Sequence, residues 1–577
     1  MRSIALCLYV VAVPAFLFAD SNLRIADVGL HGYKGTPCAV RLVVRNPSSQ
    51  PQIIHLQVAV TNGWVFTNTV TSDVSLNGAE ERELDLPALI SGGETKITAD
   101  AFAADGSVIG HDIYAKSLRF ESLVVLMCAS ETVCQSAQSQ IEFSGNIQER
   151  ADKNRNLRIE LVNDLHDDWW AYVPASAVVL ATPLTRFTAK QRDALEGYLR
   201  RGGRLVLVED EIADRDFLSA YRKSALTANS QRVAKGTLFR ISGMASNQLG
   251  AVFAGVNLPP GDGYFDGYTG WQRSLGVSWL RQRFATSFHF PRLRWILVWL
   301  AAYIVIIGVV NFAVLRRLRR LEFGWMSMCG IALAFAAGFY FSSASRRPKH
   351  FRLDNLATFY LDSRSPLAAG DYELRLSAPA RQNVVVSVAD SALFTNPAGT
   401  DGESNGQIWT EMNRQVARST RTYHIQLGPP RETQLSLLKW SFVDLNLEGL
   451  HEFPGTVHFV GPNRLRNDTG VHFAEGVYYD GRANAVYAIP ELAAGEEVQL
   501  EAIPHKPIIK EGQQVWDPNL DQRTATLETL ALRGFLPFAG EQQVFAGFTD
   551  GIALPVGLNI QHQENMHSLM IVVLEQP

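Results

Sequence analysis

Two long apolar runs near the middle of the chain constrain its fold more than any other feature. They are Trp295–Leu315 and Phe323–Phe341, and the gap between them holds the arginine-rich loop Arg316–Arg320. At about 1.5 Å per helical residue, each run reaches roughly the 30 Å of a bilayer core. Tryptophans lie near the ends of the runs, where aromatic side chains anchor a span at the membrane interface. The pattern predicts a transmembrane hairpin over 293–345 rather than two buried core helices.

The first residues, MRSIALCLYVVAVPAFLFAD, have the layout of a secretory signal peptide. Arg2 supplies a basic start, Ile4–Phe18 an apolar core, and Ala19 a small residue before the end. The apolar core is shorter than a comfortable membrane span. We therefore predict a signal peptide over residues 1–19. Leu17 is not the small residue preferred at its position, so cleavage or retention as an anchor stays open.

Export of the N-terminal part fixes the direction of the hairpin. The first span then enters the cytoplasm and the second returns, so the loop Arg316–Arg320 lies inside, as the positive-inside rule prefers. Basic residues also flank the outer ends of the hairpin, at Arg292, Arg294 and 346–349, so the rule alone does not decide. The second span carries Gly330, Ala334 and Gly338 at four-residue spacing, and the interpretation preferred from sequence is close packing on the first span.

Composition leaves the function open but excludes some classes. The chain has 577 residues, is 47% hydrophobic and has a net charge of -4, which predicts a folded protein without nucleic acid as a partner. None of its five cysteines lies in a CxxC spacing that would indicate zinc or redox chemistry. Cys128 and Cys134 are compatible with a disulfide or with two buried thiols, and the sequence favours buried thiols.

Short alternating runs follow the signal peptide, and Asn-Pro, Asn-Gly or Asp-Gly turn signals bound them. About seven strands in roughly a hundred residues fit an immunoglobulin-like β-sandwich, which we place at 20–118. No residue cluster in this part has a catalytic pattern.

The pattern changes at Ser122, where buried strands begin to alternate with helices. The strands are SLVVLM, LRIELV, AVVLA and RLVLV, and the helix TAKQRDALEGYLRRGG precedes the last one. Thr188 and Gln191 form a predicted capping box, and Gly202 is a predicted C-terminal cap. Continuous apolar strands alternating with helices predict a doubly wound parallel sheet over 119–258.

The stretch VVLATPLTRFTAKQRDALEGYLRRGGRLVLVED resembles the class I glutamine-amidotransferase-like fold, in which a helix ending in Gly-Gly leads into a buried strand. Active members of that class place a nucleophilic cysteine on a sharp turn after such a strand. Here the turn reads VEDEI and holds no cysteine. The resemblance therefore implies the fold without the acyl-transfer nucleophile, and we predict no enzymatic activity.

Three residues of this domain form the one alternative catalytic set. Cys128 ends the first strand, at the edge where open sheets place their sites, and His166 with Glu209 would have to activate it. The spacing of these residues does not support such a set. The preferred interpretation is a packed thiol at Cys128 and a surface residue at His166, with no catalytic residue.

Two candidate cation sites also fail on their spacing. Asp152, Asn154 and Asn156 begin like a calcium loop, but Leu157 stands where the loop needs glycine. The acidic run at the carboxyl edge of the sheet is typical of a solvated loop; it comprises Glu209, Asp210, Glu211, Asp214 and Asp216. We therefore predict no metal and no cofactor.

A membrane-proximal connector over 259–292, rich in glycine and aromatic residues, leads to the hairpin. After it, short alternating strands return, and we place a β-rich extracytoplasmic region with β-sandwich character at 346–577. One helix is predicted inside that region, in NLDQRTATLETLALRG. The histidines at 424, 451, 458 and 472 lack ligand spacing. The fold class predicted for the whole chain is thus a multidomain α+β membrane protein.

The order of parts resembles a group of bacterial membrane proteins of unassigned activity. The resemblance rests on LTRFTAKQRDALEGYLRRGGRLVLV, on the hairpin RLRWILVWLAAYIVIIGVVNFAVLRRLRRLEFGW, and on the turn pattern NDTG…LAAGEEVQL. It implies a non-enzymatic protein of the bacterial cytoplasmic (inner) membrane. Such a protein would have two spans, extracytoplasmic N- and C-terminal domains, and partners in a cell-envelope complex besides the lipid bilayer. A ligand-binding sensor and a hydrolase with an unrecognised site are the alternatives.

Topology gives a direct prediction. A reporter that is active only outside the cytoplasm should be active when fused after Pro577 and inactive when inserted after Arg319, because two crossings return the chain to the side of the exported domain. Reporter activity in permeabilised and intact cells measures this. The reverse pattern would contradict the predicted orientation.

Overall fold

The structure is a computed structural model. The structure describes residues 22–28, 36–62, 66–90, 93–118, 122–149, 157–162, 165–208, 217–218, 221, 230–242, 249, 252–253, 293–344, 349–389, 392–397, 423–426, 431–437, 442–480, 485–489, 491–500, 543–549 and 552–575. The predicted signal peptide, the connector 259–292 and the helix predicted after Asp517 lie outside these residues.

Seven strands form the N-terminal part, as the alternating runs predict. They are β1 (Leu23–Val28), β2 (Thr36–Arg45), β3 (Gln52–Asn62), β4 (Phe66–Leu76), β5 (Glu81–Ile90), β6 (Gly93–Ala103) and β7 (Val108–Leu118). One sheet has the order β1-β2-β5, and the other contains β4-β3-β6-β7. All their pairings are antiparallel. Alternate residues such as Val40, Leu42, Leu56 and Val58 are fully buried in the shared core, as expected for sheets with one solvated face.

A six-stranded sheet follows, built mainly from parallel strands. Its elements are β8 (Ser122–Cys128), α1 (Glu131–Glu149), β9 (Leu157–Leu161), β10 (Ala177–Ala181), α2 (Ala189–Arg200), β11 (Arg204–Val208), β12 (Ser230–Val233) and β13 (Gly236–Ile241). The order is β9-β8-β10-β11-β13-β12, with only β12 antiparallel. Ala137 and Ile141 of α1 pack on one face, and Leu195 and Leu199 of α2 pack on the other. The doubly wound sheet is thus present, with its parallel strands in the order 2-1-3-4-5.

Local signals account for α2. Gln191 N donates to Thr188 Oγ1 at 3.2 Å, and Thr188 N donates to Gln191 Oε1 at 3.0 Å, which is the predicted capping box. Beyond the helix, Gly202 has a φ of 117°, a conformation that favours glycine. Helix start and helix end are therefore confirmed.

Two apolar helices are long enough to cross a membrane, over Leu297–Arg317 and Leu321–Phe341. The first consists of α3 (Leu293–Val305), a π-helical turn (Ile306–Val310) and α4 (Asn311–Arg317), and the second is α5 (Gly324–Ala344). Phe335 of α5 packs its ring edge on Trp299 and Tyr303, at centroid distances of 5.6 and 5.3 Å.

The four-residue pattern of small side chains is only partly used in this packing. A Cβ added at Gly338 would lie 3.4 Å from Trp299, whereas one added at Gly330 would meet nothing within 4 Å. Of these two glycines, only Gly338 lies within contact distance of a side chain of the first span.

The turn between the spans uses arginine where glycine is usual. Arg320 N donates to Leu315 O at 3.0 Å and Arg319 N to Arg316 O at 3.1 Å, the paired bonds that end a helix in a Schellman motif. Arg319 occupies the left-handed position with a φ of 53°, which costs a non-glycine residue roughly 1–2 kcal/mol. The turn thus keeps its positive charge although glycine would fit the backbone better.

Fifteen strands form the C-terminal region. They are β14 (Arg352–Asp362), β15 (Ser365–Ser377), β16 (Gln382–Val388), β17 (Ala392–Pro397), β18 (Tyr423–Gln426), β19 (Arg431–Leu437), β20 (Phe442–Glu452), β21 (Val457–Gly461), β22 (Arg464–Asn467), β23 (Glu475–Asp480), β24 (Ala485–Ile489), β25 (Glu497–Gln499), β26 (Gln543–Thr549), β27 (Val556–Leu558) and β28 (Gln563–Leu574). Among the described residues they form two sheets of their own and extend one sheet of the N-terminal region. The β-rich, multidomain fold class is thereby confirmed.

One sheet contains strands from both the N-terminal and the C-terminal regions. One eight-stranded sheet has the order β27-β16-β19-β18-β4-β3-β6-β7, so strands from both sides of the hairpin belong to it. The junction is a parallel pairing in which Tyr423 and His424 are opposite Asn68 and Thr69. A second eight-stranded sheet, β17-β20-β15-β14-β28-β26-β23-β24, is joined by a parallel pairing of β14 with β28. Strands that follow the hairpin therefore complete a sheet of the N-terminal region, while the chain passes into a different sheet between β7 and β8.

The last part of the chain repeats the N-terminal strand order. The sheet β21-β22-β25 matches β1-β2-β5, and β24-β23-β26-β28 matches β4-β3-β6-β7. The corner between the sheets also matches. Asn46 Nδ2 donates to the carbonyls of Gln50, Leu76 and Asn77, and Asn467 Nδ2 donates to those of Val471, Leu492 and Ala493. The chain therefore contains two sandwiches of one design, with a third between them.

Candidate functional site

Doubly wound sheets bind ligands at the carboxyl edge of their parallel strands, at the point where the strand order reverses. Here the reversal falls between β8 and β10. Ala129 N, just after β8, donates to Ala181 O at 2.7 Å and holds the carboxyl ends of β8 and β10 together. Thr182, the next residue, is fully buried.

A disulfide occupies this edge. Cys128 at the end of β8 is bonded to Cys134 in the first turns of α1, with a Cα–Cα distance of 5.5 Å. The prediction of a packed free thiol is therefore wrong. The reason is geometric: a short turn follows β8, so the helix returns Cys134 to within bonding distance. A bridged sulfur is no nucleophile, because nucleophilic attack needs the thiolate.

His166 lies elsewhere, and it is not a surface residue. Its Nδ1 is 2.8 Å from Asp85 Oδ2, and its side chain is only 16% exposed. Asp85 also accepts two hydrogen bonds from Arg41, at 2.9 and 3.0 Å. Burial alone would raise the pKa of Asp85, but the bonds from His166 and Arg41 outweigh it and hold that pKa well below its usual range. These residues join the α/β domain to the N-terminal sandwich.

Other candidate residues lie outside the described part of the chain. Glu209, the remaining acidic residues of its run and the calcium-like loop at 152–156 belong to that group. Within the described residues, no cluster of three or more histidine, cysteine, aspartate or glutamate side chains can hold a metal ion.

The densest set of buried charges lies where α2 meets the C-terminal sheet. We call it the arginine interface; it comprises Arg200, Arg201, Tyr221, Lys235, Asp362, Asp371 and Glu448. Arg200 and Arg201 end helix α2 and are 2% and 0% exposed. A buried guanidinium is stable only when its donors are paired. Both arginines are supplied with partners from strands far away in the sequence.

Arg201 is held by the neighbouring strands β15 and β20. Its Nη1 donates to the carbonyls of Gly370 and Gly449, at 2.9 and 3.1 Å. Its Nη2 donates to Asp371 at 3.1 Å and to Glu448. The carboxylates thus neutralise the guanidinium while the two carbonyls fix its plane against the sheet.

Two further contacts complete the surroundings of Arg201. The guanidinium carbon lies 5.0 Å from the centre of the Trp169 ring. Lys235 Nζ lies 2.6 Å from Asp371 Oδ2 and adds a second positive charge beside that carboxylate.

Arg200 forms a second group next to the first. It donates to Glu196 at 2.6 and 2.8 Å, to Leu367 O at 3.1 Å and to Asp362 at 3.4 Å. Tyr221 Oη donates to the same Asp362 carboxylate at 2.8 Å. Burial raises the pKa of Asp362, and the charge of Arg200 opposes that rise.

Glycines allow the close approach that this interface needs. A Cβ at Gly197 would lie 2.9 Å from Trp169 and 3.2 Å from Leu450 of β20. A Cβ at Gly203 would lie 2.4 Å from the ring of Tyr198. The motif RRGG therefore places two arginines on the sheet and two glycines at the turn behind them. The arginine interface joins the α/β domain to the C-terminal sheet. Among the described residues it offers no exposed reactive group.

Comparisons with known proteins add little. No protein-family model matches the chain, and no curated protein matches it. Among solved structures, a cycloisomaltooligosaccharide glucanotransferase from Paenibacillus sp. is 16% identical over 22% of this chain and 19% of its own, with a TM-score of 0.15. A β-glucuronidase from Bacteroides uniformis is 8% identical over 35% and 29%, with a TM-score of 0.13.

The α2-macroglobulin of Escherichia coli is 10% identical over 74% of this chain and 93% of the structure compared, with a TM-score of 0.14. The chain spans less than a third of the length of the first two proteins. At these TM-scores none of the three similarities carries an argument about function.

The arginine interface predicts a large loss of stability for Arg201→Met. This change removes the guanidinium that is paired with the buried Glu448, and breaking a buried ion pair costs about 3–5 kcal/mol. Lys190→Met, an exposed change on the same helix, should cost less than about 0.5 kcal/mol. Thermal unfolding of the full chain in mild detergent measures both. Addition of Glu448→Leu to Arg201→Met should recover part of the loss, and equal melting temperatures for Arg201→Met and Lys190→Met would contradict the interface.

The Asp85 contacts predict acid sensitivity. Because the folded-state pKa of Asp85 is lowered, its contribution to stability is present above the unfolded value of 3.8 and is lost as the pH falls below it. Unfolding measured between pH 7 and pH 2 should therefore show a steep loss below about pH 4, and Asp85→Asn should flatten that part of the curve. An unchanged curve for Asp85→Asn would contradict this assignment.

Proposed function

We propose that the chain is a non-enzymatic protein of the bacterial cytoplasmic membrane, anchored by one transmembrane hairpin. Its N-terminal and C-terminal parts would form a single extracytoplasmic body that presents interaction surfaces within a cell-envelope complex. The N-terminal sandwich is proposed to be immunoglobulin-like and the α/β domain amidotransferase-like. The exported orientation is part of the same proposal.

One observation carries most of this proposal: β4 precedes the hairpin, β18 follows it, and the two pair in one sheet. Strands can pair only when they lie on the same side of a membrane. Two crossings between them satisfy that condition, whereas one crossing does not. The arginine interface supports the same conclusion, since it joins α2, before the hairpin, to β15 and β20, after it.

The disulfide supports the direction. Bridges such as Cys128–Cys134 persist in oxidising compartments and are rare in a reducing cytoplasm. An extracytoplasmic body then leaves the loop Arg316–Arg320 on the cytoplasmic side, where basic residues are favoured.

The positions of Cys128 and His166 support a role without catalysis. The sulfur of Cys128 is bonded to Cys134, whereas the imidazole of His166 is hydrogen-bonded to Asp85 of the N-terminal sandwich. Cys128 and His166 are therefore not paired with each other as the alternative catalytic set would require. The order of the parallel strands, 2-1-3-4-5, supports the amidotransferase-like assignment at the level of the fold.

The test uses a strain in which the chromosomal gene is replaced by the Cys128→Ala/Cys134→Ala variant. Function should be retained relative to a deletion strain, because a structural bridge in a large body is dispensable when packing suffices, at a cost of about 2–4 kcal/mol. In mild detergent, both forms should elute in a particle larger than the monomer. Failure of a well-folded variant to restore function would overturn the non-enzymatic assignment, and monomeric elution would overturn the complex.

A further inference from the structure

An open groove lies on the surface of the first span. It has a volume of about 820 Å³ and is lined by Gly308, Val309, Phe312, Ala313, Arg316 and Arg317. All six residues are exposed. Trp299 and Tyr303, whose rings pack on Phe335 of α5, are not among them.

The helix pattern explains the shape of the groove. Residues four apart form adjacent rows along a helix, and two such rows run through it: Gly308–Phe312–Arg316 and Val309–Ala313–Arg317. Each row contains one small residue, so Gly308 and Ala313 leave space between the larger side chains. Gly308 also lies in the π-helical turn Ile306–Val310, and a Cβ added there would meet nothing within 4 Å. Such turns often mark functional positions in helices.

Chemistry changes along the length of the groove. The end at Gly308 is apolar, and Phe312 is 56% exposed in the middle. About 12 Å from Gly308 along the helix axis, at 1.5 Å per residue, the groove ends at two guanidinium groups. Glu322 is the only acidic residue near the arginine loop in the sequence, so the end of the groove is strongly positive.

We propose that this groove binds one anionic glycerophospholipid. Its phosphate would lie against Arg316 and Arg317, which suit the geometry of phosphate oxygens. An acyl chain would extend past Phe312 into the space at Gly308. Charge complementarity selects an anionic headgroup, and the apolar floor inside a membrane span selects a lipid rather than a soluble phosphate. Basic sites at the end of transmembrane helices bind anionic lipid headgroups by this chemistry.

The inference rests on the proposal that the hairpin lies in a bilayer, but not on its direction. A failed lipid test therefore leaves the two-crossing topology intact. Conversely, reversed reporter activities would move the site to the other leaflet without removing it.

The experiment counts lipids bound to the full-length protein by native mass spectrometry. Detergent micelles contain equal amounts of phosphatidylglycerol and phosphatidylcholine. The wild type should retain phosphatidylglycerol preferentially. Arg316→Gln/Arg317→Gln should weaken that binding at least about tenfold, because each arginine near a lipid headgroup contributes measurably. Arg319→Gln/Arg320→Gln removes the same charge outside the groove and should bind nearly as the wild type does.

A second variant tests the acyl part of the site. Gly308→Leu changes no charge and fills the space, so it should reduce phosphatidylglycerol binding severalfold. If the double arginine variant fails to fold, Gly308→Leu still tests whether the lipid binds in the groove. Excess glycerol 3-phosphate, which lacks acyl chains, should not displace the lipid. Equal loss in both double arginine variants, unchanged binding by Gly308→Leu, displacement by glycerol 3-phosphate or equal retention of phosphatidylcholine would each overturn the proposal.

Discussion

Burial of the Arg201 guanidinium against the sheet formed by β15 and β20 is the interaction on which the arrangement of domains depends. A charge taken out of water is costly, and hydrogen bonds to oppositely charged and polar partners offset that cost. Helix α2 supplies the charge, while Gly370, Gly449 and Glu448 supply the acceptors. Since these groups come from segments before and after the hairpin, the interface forms only when the two segments pack against each other. The same contact that orients the α/β domain therefore also joins the two soluble parts of the chain.

Shared sheets extend this connection. The central sandwich shares one sheet with the N-terminal sandwich through the pairing of β18 with β4. It shares its other sheet with the last sandwich through the pairing of β14 with β28. Parallel pairing at both junctions requires a long connection between the paired strands, because a hairpin turn can connect only antiparallel neighbours. The hairpin thus leaves and re-enters one continuous body, and the positively charged turn at Arg319 stays at its far end.

Local signals in the sequence were sufficient for some elements and insufficient for others. The capping box of α2, the buried strands beside it and the two apolar helices follow from short-range patterns, and the structure contains them. The partners of Arg200 and Arg201 in the C-terminal strands are more than 160 residues away, so no local pattern identifies them. The spacing of Cys128 and Cys134 was compatible with two outcomes. The repeated sandwich did leave a signal in the sequence. Its first part is Arg-Asn, any residue, then Ser or Thr, at 45–48 and 466–469. Its second part is a leucine followed, after three residues, by two glutamates, at 76–81 and 492–497.

Pairing of β4 with β18 is the most direct test of the account that the chain on both sides of the hairpin forms one body. Cysteines at Asn68 and Tyr423, which are Cα partners, should form a disulfide in intact cells when Cys7, Cys38 and Cys329 are replaced by alanine. In the matched control, Asp73→Cys replaces Asn68→Cys, which moves the first cysteine about 17 Å along the strand. The account predicts efficient crosslinking of the 68/423 pair and none of the 73/423 pair. Absence of the 68/423 crosslink, or equal yields for both pairs, would contradict it.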